Sequence, residues 1–424
     1  MKFLRLAFYL LCLLIPFENT ALRSVAGVFT APGAIILIPV FLLIAVINFK
    51  HIGSYEKKTI IYFLTFFTYS LFVSLFFSFD YNYTFVLDRG VRFLLLILPP
   101  VVVFLAVLRQ KEEVTNFGVF LIAFVCLLSL VVNLTLPDIV NTQSFIQFRS
   151  ALSPHRLRGF TLEASTFGFQ ITLSLLMLFI VLNIKVFYVI PLLFILASIT
   201  VSKGTLIALF LSFSFCLTFA VRPKAKPVIF AFVACALPLL FSNSFYAMFA
   251  SDIENYSSVA TRGTMFFTSL IILFKYPFGT GFFGYLPAIY ENGFNAISLY
   301  HKVFPERMNF NEVMSYFVVG ATEGISTKTF FFDWLIFAGL PFLFLFFRFH
   351  FQLFRIFSRH RKYNEIICLS FLSISLMTFV PIEGRYIAPF AYAFLFMRSQ
   401  SYLEFDVNEN IVQKSKFKSL RVVW

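Results

Sequence analysis

Charge is what this chain has least of. Asp, Glu, Lys and Arg make up 13% of its 424 residues, and Asp and Glu number only 20. A soluble domain carries about twice that share of charge. Cysteine is sparse as well. The five, Cys12, Cys126, Cys216, Cys235 and Cys368, all fall inside apolar runs, with no CxxC and no His/Cys cluster. That pattern indicates neither a disulfide framework nor zinc. There is no P-loop, no DxD pair for a metal-bound nucleotide sugar and no HExxH, and the histidines are dispersed. Chemistry on a cytoplasmic nucleotide donor is thereby disfavoured. No low-complexity tract stands out, and no internal period suggests the repeated halves of a transporter.

What the chain has in abundance is apolar sequence: 60% hydrophobic residues and 20% aromatic, with a mean hydropathy of +0.88. Runs of about 17 to 23 apolar residues are long enough to cross hydrocarbon as helices, the one spanning form a single segment can adopt with its backbone satisfied. We expect an all-α polytopic membrane protein, one integral domain over 1–424, with about 12 transmembrane helices. The spans fall near 3–18, 30–48, 59–79, 91–108, 117–136, 164–182, 186–202, 204–221, 228–249, 329–347, 365–381 and 385–398. The first is read as an uncleaved helix, since no small-x-small site follows Pro16.

A formal charge of +14 would suggest nucleic acid in a soluble chain. Here most of the basic residues sit in short loops on one side, including Lys57, Lys58, Arg109 and the cluster from Arg348 to Lys362, and in both termini. The positive-inside rule therefore places both termini in the cytoplasm and removes any need for a nucleic-acid partner. Two large segments then lie outside, 137–163 and 250–328. The second contains the amphipathic stretch TRGTMFFTSLIILFKYPF and is expected to be a folded cap lying on the membrane.

The basic residues on the outside are the ones topology does not explain. Within HRLRGFTLEASTFGFQ, Arg156, Arg158 and Glu163 stand just before a helix on which Thr166, Gln170 and Ser174 share one face with Glu163. As a set they suit an anionic group, whereas a helix-end carboxylate and lipid-facing arginines are the bland alternative. Lys203, alone between Lys185 and Arg222, must occupy the turn of the hairpin TVSKGT. Snorkelling and a cation facing an external cavity both fit it. In the long loop, Arg262 opens the amphipathic stretch and KYPFGTGFFGY closes it. GTGFFG matches GxGxxG, but what precedes it reads as an interfacial helix and the location is external, so Gly279, Gly281 and Gly284 are read as tight turns and close backbone approaches. Glu383 and Arg385, in PIEGRY, lie between the last two spans and suit either a substrate contact or an internal ion pair.

RLRGFTLEASTFG, TVSKGT, TRG with YPFGTGFFGY, and GISTKTFFFDWLIFAGLPFLFLFF together resemble, in that order, the pattern of bacterial O-antigen polymerases and the wider O-antigen polymerase and ligase superfamily. The resemblance covers about residues 150–350. It implies an all-helical membrane glycosyltransferase similar to the type C fold, needing no metal and no cofactor, at the periplasmic face of the inner membrane. The implied substrate is an undecaprenyl-pyrophosphate-linked oligosaccharide, with membrane lipid and a chain-length regulator protein as further partners. On that reading Arg156, Arg158, Lys203 and Arg262 hold the pyrophosphate, with Arg158 gripping it in a bidentate way. Glu163 acts on the acceptor hydroxyl, with Glu383 as the second candidate and Arg385 beside it. Ligases carry a loop histidine followed by asparagine where this chain has STKTFFFDW. A ligase, another enzyme on the same lipid carrier and a flippase remain the alternatives.

Overall fold

The computed structural model describes residues 2–18, 20–22, 31–47, 53–76, 83–151, 156–219, 257–304, 309–321, 325–381 and 385–420, the side chains at 405–420 and a few helix ends excepted. Every regular element among them is a helix. The first half contains α1 (Lys2–Leu14), α2 (Pro32–Ile47), α3 (Ser54–Ser74), α4 (Tyr83–Leu108), α5 (Glu112–Thr135) and the single turn α6 (Pro137–Asn141). Then come α7 (Ala164–Val181), α8 (Val186–Ile199) and α9 (Lys203–Phe219). The late loop supplies α10 (Ser257–Lys275), α11 (Gly281–Val303) and α12 (Asn311–Tyr316). The chain finishes with α13 (Phe330–Arg359), α14 (Tyr363–Thr378) and α15 (Ile387–Leu420).

Four of these helices are long and apolar enough to cross a membrane: Thr84–Leu108, Glu112–Thr135, Ala164–Val181 and Phe330–Arg359. Shorter apolar helices occupy Phe3–Leu14, Tyr188–Ile199, Lys203–Phe219 and Tyr363–Thr378. The chain is thus a helical membrane protein. The expected span at 228–249 lies outside the described residues. The expected span at 385–398 is the first part of α15, which runs on to Leu420.

Two cores organise the helices. The larger joins α1, α5, α7, α9, α14 and α15, with α7 at its centre. Phe167, Phe169, Ile171, Leu173 and Met177 of α7 are all fully buried, so its apolar residues cover the whole circumference, as expected of a helix surrounded by others. The second core belongs to the late loop. Met265 and Ile272 of α10, Tyr285 and Ile289 of α11, and Val313 of α12 pack together with Phe93 of α4 and Phe337 of α13. The segment expected as a cap therefore has an apolar core of its own, fastened to the N-terminal halves of α4 and α13. Its helix α10 turns a row of small polar residues inward, Thr261, Thr264, Thr268 and Ser269, each fully buried.

Candidate functional site

The loop entering α7 is built before it is decorated. Asn133 of α5 accepts hydrogen bonds from the backbone N–H groups of Arg158 and Gly159, both at 2.9 Å. Gln147 donates to the carbonyls of Gly159 at 3.0 Å and Thr161 at 3.1 Å. Phe160 stacks on Phe17 with ring centroids 4.6 Å apart, and the Glu18 N–H donates to the Phe160 carbonyl. Residues 17–18 and 158–163 consequently lie side by side, fixing where α7 starts.

Glu163 occupies the N-cap position of α7, yet its side chain makes no capping bond. Thr166 and Phe167 bond its backbone carbonyl instead, and among the described residues the exposed carboxylate accepts a hydrogen bond from Ser165 Oγ at 3.4 Å. The side chain thus stands at the positive end of α7 without capping it by a hydrogen bond. Below it, the face carrying Thr166, Gln170 and Ser174 is buried as the spacing required. Gln170 donates to Glu18 Oε1, and Arg385 Nη1 lies 2.9 Å from Glu18 Oε2. Glu18 is itself buried, so a carboxylate, an amide and a guanidinium from three distant segments meet directly beneath the loop.

The cap supplies the other side. Glu312, on α12, accepts from Tyr316 Oη at 2.7 Å and from Thr261 Oγ1 at 3.2 Å, and Lys328 Nζ stands 3.4 Å from its Oε1. Lys328 also lies over the Tyr316 ring, 5.3 Å from its centroid. Arg262 of α10 completes the group. Burial lowers the pKa of its guanidinium, Glu163 and Glu312 act through space to raise it, and Arg156 pushes the same way as burial. The Tyr316 hydroxyl is held well above its ordinary pKa, by burial first, then by Glu312, with Glu163 adding to the effect. Glu163 at the start of α7 and Glu312 on α12 thus both act through space on one arginine. In the same region, the Nε atoms of Arg156, Arg262 and Arg385 are buried with no hydrogen-bond partner. Buried guanidinium donors without acceptors are costly, and an incoming anion would satisfy them.

Of the residues singled out in the sequence, Arg156, Glu163 and Arg262 are brought together, with Arg385 behind them through Glu18. Arg156 also ties in the hairpin turn, donating from Nη2 to the Val201 carbonyl at 3.0 Å; Lys203 follows as the first residue of α9. Arg158 is placed differently. Its Nε donates to the Val140 carbonyl at 3.0 Å, Nη2 donates to the same carbonyl, and Nη2 reaches the Arg149 carbonyl at 3.0 Å. Only 3% exposed, this guanidinium is a clamp across the 137–163 segment, and burial lowers its pKa. Glu383 lies outside the described residues. Sequence reasoning missed Glu18, Glu312, Tyr316 and Lys328. Glu18 was legible as an acid at the end of an apolar run, whereas nothing local marks Glu312.

The GTGFFG stretch is a point of close backbone contact. Gly279 has φ +84 and Gly339, at the kink of α13, φ +57. A Cβ on Gly279 would lie 2.5 Å from the Phe337 carbonyl oxygen, and one on Gly339 would lie 2.1 Å from that of Pro277. Two backbone bonds of 2.8 Å, Thr280 N to Ile336 O and Leu340 N to Pro277 O, lock the pair. The glycines thus join cap to α13 and leave no room there for a dinucleotide phosphate.

These features define a class: a helical membrane protein with a charged site between a membrane helix end and a helical cap. A Klebsiella pneumoniae protein named "Uncharacterized 49.5 kDa protein in cps region" is 38% identical over 415 residues, covering 95% of this chain and 94% of the relative. The chain belongs to the same family as that protein. No family model matches the chain, and no solved structure matches it.

Proposed function

We propose that this protein polymerises undecaprenyl-pyrophosphate-linked oligosaccharide repeat units into a surface polysaccharide, working at the periplasmic face of the inner membrane as a glycosyltransferase that uses no metal. The observation carrying this reading is the set of buried guanidinium Nε atoms of Arg156, Arg262 and Arg385, which have no hydrogen-bond partner, in a region where Glu163 and Glu312 act on Arg262 through space. The relative's place in a cps region supports surface polysaccharide as the product class, capsule as readily as O-antigen.

In this reaction the acceptor hydroxyl oxygen bonds to the anomeric carbon of the donor sugar. The bond from that carbon to the phosphate oxygen breaks, and undecaprenyl pyrophosphate leaves with the electron pair. Arg262 and Arg156 hold the developing negative charge with donors already aimed and desolvated. Glu163, uncapped and exposed, orients the acceptor hydroxyl and takes its proton.

Polymerisation is favoured over transport because the charged groups gather at one helix end beneath one cap, while a transporter site is built near mid-membrane between repeated halves. Deleting the gene and resolving surface polysaccharide on a gel tests the proposal. Loss of a polymerase leaves single repeat units on the lipid core, whereas loss of a flippase or ligase leaves none. Glu163→Gln, expressed in that background, should give the single-repeat pattern, and a full ladder would return Glu163 to a structural role.

A further inference from the structure

Lys328 is the one charged member of the cap site whose backbone is in the left-handed region, with φ +62. An unbranched side chain gains nothing there, and such strain persists only when the surroundings over-determine it. The surroundings do. Thr327 N donates to Asp333 Oδ1 at 2.9 Å, and Tyr285 Oη donates to the same oxygen at 2.5 Å. Thr327 Oγ1 donates to the Thr329 carbonyl at 2.8 Å. Thr329 caps α13 through Phe332 N, and Phe330 N bonds the Val380 carbonyl at 2.9 Å. The whole turn is held so that position 328 points back over Tyr316 and Glu312. Glycine or asparagine would hold that turn with less strain, yet the position carries a lysine.

Resting on the polymerase reading, we infer that Lys328 is a substrate-positioning residue. Its ammonium rests against Glu312 until the lipid-linked diphosphate arrives, then moves onto a phosphate oxygen. Two features make the exchange feasible. The Lys328–Glu312 pair is about one-third exposed on each side, at 34% and 33%, so water and substrate can reach it. Glu312 does not depend on the lysine alone, because Tyr316, Thr261 and the field of Arg262 remain to compensate its charge when the ammonium leaves. A flexible stem with a compact charge suits a group that must move between two anions, which a planar guanidinium held in a fork does less well.

The test separates strain from charge. Lys328→Gly and Lys328→Asn relieve the left-handed backbone and remove the ammonium, while Lys328→Met keeps the strain and removes only the charge. In purified full-length protein, the first two should melt at or above the wild-type midpoint and Lys328→Met at or below it. All three should bind undecaprenyl pyrophosphate about tenfold or more weakly, the worth of one charge-assisted contact. Lys328→Arg should recover part of the binding. Wild-type affinity in Lys328→Gly overturns the inference, and so does a lowered melting point in that variant combined with unchanged affinity. If the wild-type protein binds the diphosphate through Lys328 but joins no repeat units, the polymerase reading fails while the Lys328 contact to a diphosphate stands.

Discussion

Arg158 sits at the centre of the motif that resembles O-antigen polymerases, so its substitution decides between a residue that grips substrate and one that holds the loop. Its guanidinium donates to two carbonyls, Val140 through Nε and Nη2 and Arg149 through Nη2. Hydrogen bonds to a charged donor contribute about 1.5–3 kcal/mol each. Lysine can keep one of the two carbonyl contacts, so Arg158→Lys should cost about 1.5–3 kcal/mol. Alanine keeps none and strands two carbonyls, for about 3–6 kcal/mol. Against a typical stability of about 5–15 kcal/mol, either change is large. The assay measures melting midpoint, yield of monodisperse protein and polymer formed per folded molecule. We expect Arg158→Lys to lower midpoint and yield while the folded fraction keeps most of its turnover. Asn133→Ala, which removes the acceptor for two N–H groups of the same loop, should behave in the same way. A variant Arg158→Lys that melts like wild type and forms no polymer would refute the clamp and return Arg158 to the pyrophosphate.

Arg262→Lys should show the opposite split, melting close to wild type and losing at least about tenfold in turnover, because the lysine keeps the charge beside Glu163 and Glu312 but not the fork; equal turnover would remove Arg262 from the leaving-group site. Gly339→Ala forces a Cβ to 2.1 Å from the Pro277 carbonyl and also strains a φ of +57. It should cost several kcal/mol, whereas Gly320→Ala, at φ +94 with nothing within 4 Å, should cost about 1–2 kcal/mol. Similar melting points for the two would mean that the cap is not locked to α13 through this contact. A phosphatase reporter fused after Tyr290 should be active and one after Arg359 inactive, as the basic cluster from Arg348 to Lys362 requires; the reverse pattern would place the site on the cytoplasmic side. Polymerisation of lipid-linked repeats should continue in a chelator, and rescue by magnesium or manganese after a loss would remove the metal-free mechanism.

The sequence alone determined the features that depend on near neighbours. Long apolar runs must close their own backbone hydrogen bonds in a membrane, so helices were dictated wherever such runs occur. The face of Thr166, Gln170 and Ser174 followed from helical spacing, and the TVSKGT turn followed from two apolar flanks too long to place Lys203 elsewhere. Tertiary structure decided where loop side chains point. Arg156 and Arg158 are two residues apart in one motif, yet one reaches the hairpin turn and the charged site while the other is drawn into the 137–163 segment by the Val140 and Arg149 carbonyls. No local period distinguishes them, because the groups that orient them belong to other parts of the chain. The same holds for Glu18, which meets Arg385 from the far end of the sequence, and for Glu312, whose partners Thr261 and Lys328 come from separate segments of the cap. A helix face is set by 3.6 residues per turn, but a site assembled between elements is set by which elements pack together, and that depends on the whole folded chain.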